Sequence, residues 1–72
     1  MKAAALAHQR SLFERFASIA QRRLGLTDSQ RAAYLDALNA TDHAARLDGS
    51  LDMHAIGMSA ARRAGYVGSD HP

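Results

Sequence analysis

The chain has 72 residues, no cysteine, a formal charge of +2 and 47% hydrophobic residues. That length limits it to one domain, and the lack of cysteine excludes disulfide staples and thiolate metal sites. A chain this short buries only about 60% of its unfolded surface, so it needs tight packing, or a partner, to stay folded.

Composition also sets its class. Alanine supplies 16 residues and arginine 8, against the single Lys2, a bias of the kind seen in GC-rich bacterial genomes and their phages or plasmids. No run reaches the ~18 apolar residues of a membrane span, and His8-Gln9-Arg10 interrupts the N-terminal Ala-Leu stretch before a secretory segment forms. A cytoplasmic protein is the expectation.

Residues 3–24 have the periodicity of an amphipathic helix. At about 100° per residue, Leu12, Phe13, Phe16, Ile19, Ala20 and Leu24 share one side, and His8, Arg10, Glu14, Arg15, Gln21 and Arg22 the other. Phe13 and Phe16 are the bulkiest apolar residues of this segment and are expected at the centre of the core.

The six residues Gly25-Leu26-Thr27-Asp28-Ser29-Gln30 read as one helix end followed at once by a helix start. Gly25 suits the left-handed closing position, with Leu26 folding back on Ala20 or Gln21. Thr27 and Gln30 form a capping-box pair, and Asp28 complements the first turn. The chain is therefore expected to double back here as an antiparallel helical hairpin.

The second helix is predicted over 28–47, with Tyr34 and Leu38 on its main face and Ala33, Ala40 and Ala44 on a small-residue flank. Asp42 and Arg46 make an i,i+4 pair. Asp48-Gly49-Ser50 reads as a break, with Asp48 or Ser50 capping a third helix over 51–64. Met53, Ile56, Gly57, Ala60 and Ala64 line one side of that helix, while Leu51, Ala55 and Met58 fall opposite. Gly65 closes it, Tyr66 folds back as Leu26 does, and residues 68–72 form a polar tail. The expectation is an all-α, three-helix bundle over residues 1–67, with Leu12, Phe13, Phe16, Ile19, Leu24, Tyr34, Leu38, Met53 and Ile56 as its core. A homodimer is one way for it to cover a doubly apolar third helix.

Charge is unevenly distributed. Residues 1–26 carry a formal +4, residues 27–48 a formal −2, and the remainder is neutral. His8, Arg15 and Arg22 recur every seven residues along one side of the first helix, a pattern suited to an acidic protein surface or to nucleic acid. The competing interpretation is a solvated face matched internally by the acidic second helix. Arg22-Arg23 and Arg62-Arg63 each lie in a last helical turn, where cations complement the dipole.

Other chemistry finds little support. As a DNA-reading helix-turn-helix the chain fails in either register, because Arg31 or Ser50 falls where an apolar residue belongs. The four histidines have no metal-ligand spacing. There is no nucleophile beside a base and no Gly-rich phosphate loop.

The leading expectation is a non-enzymatic regulator, inhibitor or adaptor with no metal and no cofactor. It would bind a protein through Arg10, Arg15 and Arg22 on the first helix and the Met58 side of the third. One alternative is a nucleic-acid-binding regulator using Arg15, Arg22, Arg62 and Arg63. Another is a structural bundle that assembles with itself.

Overall fold

The computed structural model describes residues 2–41 and 52–69, with side chains from residue 10 onward. Three helices account for most of this: α1 (Lys2–Leu24), α2 (Asp28–Ala40) and α3 (Met53–Arg63). No strand occurs among the described residues. None of these helices is long and apolar enough to cross a membrane.

The turn between α1 and α2 is built by its own residues. Gly25 has φ +74°, in the left-handed region, and the N–H groups of Gly25 and Leu26 both donate to the Gln21 carbonyl, at 2.9 and 3.3 Å. Leu26 turns back into the core. Thr27 Oγ1 accepts from the Gln30 N–H at 3.1 Å, and Gln30 Oε1 accepts from the Thr27 N–H at 3.0 Å. Two orphan donors of the α2 N-terminus are thereby satisfied reciprocally.

Two bonds across the seam set the antiparallel register. Gln21 Nε2 donates to Asp28 Oδ1 at 2.9 Å, and Arg31 Nη2 donates to Ser18 Oγ at 3.0 Å. The acidic start of α2 thus engages a polar residue of α1 and not its arginines.

α2 ends at Ala40, short of the expected boundary at 47. Thr41 is extended at φ −71°, ψ 140°, and its Oγ1 donates to the Ala37 carbonyl at 2.9 Å. That local bond competes with helix continuation. Residues 42–47, with the Asp42–Arg46 pair, and the break at Asp48-Gly49-Ser50 lie outside the described residues.

The N-cap of α3 is Asp52, whose Oδ1 accepts from the Ala55 N–H at 3.1 Å, and not Asp48 or Ser50. At the other end Gly65 has φ +105°, and the Tyr66 N–H reaches the Ala61 carbonyl at 3.1 Å. α3 runs antiparallel to α2, since His54 meets Tyr34 while Gly65 lies near Gln30.

α2 is the central element and packs against both neighbours, while α1 and α3 approach each other in few places. The core joins Phe13, Ala17, Ala20, Leu26, Tyr34, Leu38, Met58 and Ala61, with Leu24, Leu35, Met53 and Tyr66 partly buried against it. Leu12 and Ile56 are also partly buried.

Two expected core residues are not there. Phe16 is 45% and Ile19 40% exposed. The apolar arc of α1 is wider than one neighbouring helix can cover, and α2 takes the side holding Ala17 and Ala20. Ala17 and Ala20 are buried there. Phe13 enters with them, and Phe16 and Ile19, on the far flank of the arc, stay outside.

Met58 is the opposite correction. It is 1% exposed, so it belongs to the core and offers no partner surface. α3 is rotated so that Gly57, Met58, Ala60 and Ala61 face inward. In this rotation the Tyr34 ring lies where a Cβ at Gly57 would be, so the close approach needs glycine there.

Candidate interaction surface

The feature most suited to recognition is an open groove of about 430 Å³ along the seam of α1 and α2. Arg15, Ile19 and Arg22 of α1 line it together with Ser11, Glu14 and Ser18, and Arg31 closes it from α2. The heptad recurrence of Arg15 and Arg22 places both guanidinium groups along one edge. The hairpin register adds the third arginine, which the Ser18 hydroxyl helps to hold.

The apolar part of this surface is continuous with the groove. Ile19 lies in it, and Phe16 stands one turn away with its ring centroid 6.4 Å from that of Phe13, tilted by 41°. Phe16 is thus braced from below by a core residue while its outer side meets solvent.

Not every expected contact residue joins this surface. Arg10 is exposed but lies roughly 140° round the helix from Arg15. Arg62 and Arg63 are exposed at the end of α3. The Arg62 guanidinium carbon is 5.9 Å from the Tyr66 ring centroid, and Arg63 Nη1 donates to Ser59 Oγ at 3.2 Å. Arg63 instead borders a shallower groove on the α2–α3 seam with Asp36, Ala33 and Ala60. α1 and α3 do run in the same direction, because each is antiparallel to α2. Their C-terminal arginine pairs therefore lie at one end of the bundle.

Sequence reasoning missed Arg31 as a surface residue and Tyr34–His54 as a pair. The Tyr34 hydroxyl is 2.9 Å from His54 Nδ1, and the ring centroids are 5.8 Å apart. Burial raises the Tyr34 pKa above the ordinary 10.0, and the Asp52 carboxylate raises it further. Among the described residues no three His, Cys, Asp or Glu side chains group as metal ligands.

No protein-family model, curated protein or solved structure matches the chain.

Proposed function

We propose that this chain is a non-enzymatic interaction module of the cytoplasm, a small regulator, inhibitor or adaptor, which binds a protein through the outward face of α1. The exposure of Phe16 and Ile19 beside Arg15, Arg22 and Arg31 carries this reading. An aromatic and an aliphatic anchor beside arginines have the composition of an interface centre, whereas isolated charges on a solvated helix do not. The groove favours binding over catalysis, since its Ser18 hydroxyl is tied to the Arg31 guanidinium and not to a base.

Affinity capture from host lysate tests this, comparing the wild-type chain with Arg15→Glu/Arg22→Glu. The expected result is a captured protein that survives nuclease treatment and is lost in the double variant. Both substitutions are on exposed residues, so the chain should stay folded, with a small loss of stability from placing an anion in the last turn of α1.

A nucleic-acid-binding regulator is the second reading, favoured by the arginine pairs of α1 and α3 at one end of the bundle. It requires capture that nuclease abolishes and affinity that falls steeply with salt. A structural bundle that assembles with itself would capture only further copies of the chain.

A further inference from the structure

We infer that the element docking on α1 is an acidic amphipathic helix of a partner protein. The inference rests on the reading of the α1 outer face as the interaction surface and specifies what fits it. Leu12, Phe16, Ile19 and Arg23 are spaced four, three and four residues apart, the spacing of a helix-pairing seam. Phe16 and Ile19 supply exposed knobs on it, and Leu12 is partly buried. Leu12 to Arg23 spans 12 residues, about 18 Å, so a partner helix has roughly three turns of α1 to lie along.

Charge identifies the occupant. Arg15 and Arg22 flank the seam at equivalent positions, one heptad apart, where facing helices exchange ion pairs. Arg31 adds a third cation from α2, and Glu14 is the only acid among the described residues lining the groove. Glutamates or aspartates flanking an apolar stripe on the incoming helix would meet all three arginines.

A second copy of the chain fits poorly in either direction. Antiparallel pairing of α1 with α1 sets Arg15 against Arg22 of the other copy, and parallel pairing sets the two Arg23 residues together. A phosphate backbone would leave Phe16 and Ile19 uncovered and would meet Glu14.

The test uses the full chain and a labelled helical peptide of about three heptads, with leucine at the core positions and glutamate at the flanking ones. A counterpart has lysine in place of glutamate. The acidic peptide should bind, with amide shift changes confined to residues 11–23 and the vicinity of Arg31, and the basic peptide should not. Arg15→Glu/Arg22→Glu should weaken the acidic peptide about thirtyfold, as two exposed attractive pairs become repulsive. The same variant should gain binding to the basic peptide, and Phe16→Ala should weaken the acidic one while the chain keeps its helical circular dichroism at the assay temperature.

Failure of the acidic peptide to bind, equal binding of both peptides, or shift changes centred on α3 would overturn the inference. So would sedimentation showing α1 sealed by a second copy. If the peptides fail while a captured host protein still depends on Arg15 and Arg22, the acidic helix is wrong and the interaction module stands.

Discussion

A β-carbon built at Gly57 would stand 2.5 Å from both Cδ2 and Cε2 of Tyr34 and 2.7 Å from its Cζ. The ring has little room to yield, being 2% exposed and held at its hydroxyl by His54. Gly57→Ala would gain about 0.5–1 kcal/mol of helix propensity. Overpacking costs about 1–3 kcal/mol and should win. The difference is a net loss of up to about 2.5 kcal/mol, centred on about 1 kcal/mol, read as a lower urea midpoint; a higher midpoint would mean that α2 and α3 do not meet here. Gly57 was legible in the sequence as a small residue on one face of its helix. Its necessity was not, because only tertiary structure brings Tyr34 to it. The buried Ala17 and Ala61 escaped notice for the same reason, since alanine looks alike in a close contact and on a surface.

The α1–α2 hairpin is the element the sequence describes best. Its signals are local: a glycine that must adopt φ +74°, and a Thr–Gln pair that satisfies its own backbone donors. Nothing lies within 4 Å of a β-carbon added at Gly25, so a substitution there is penalised only by backbone strain. Gly25→Val should cost at least about 1–2 kcal/mol, checked by chemical denaturation. An unaffected midpoint would show that the left-handed turn is not what joins these helices. The limits of α2 were harder to read. Alanines continue past residue 40, but Thr41 is extended, with its hydroxyl bonded to the Ala37 carbonyl. Such a competing local bond has no periodicity to betray it.

At the scale of the whole molecule, Tyr34 links global stability to pH. Its folded-state pKa is raised above 10.0 by burial first and Asp52 second, so the folded chain holds that proton more tightly than the unfolded chain. This contribution is fully present below pH 10.0 and is lost as pH rises through the folded value. The midpoint of thermal unfolding should therefore fall more steeply with pH above 10.0 in the wild type than in Tyr34→Phe. Parallel slopes in the two proteins would show that Tyr34 is not the group responsible. The sequence alone determined an all-α chain, its first turn and the basic character of α1, because caps, glycine and helical periodicity act within a few residues. Tertiary structure decided which part of the apolar arc of α1 faces inward, and it withdrew Met58 from the surface. It also added Arg31 to the edge formed by Arg15 and Arg22. The reason is geometric: a helix with a wide apolar arc can pack in more than one rotation, and the choice belongs to the neighbour that fits most closely.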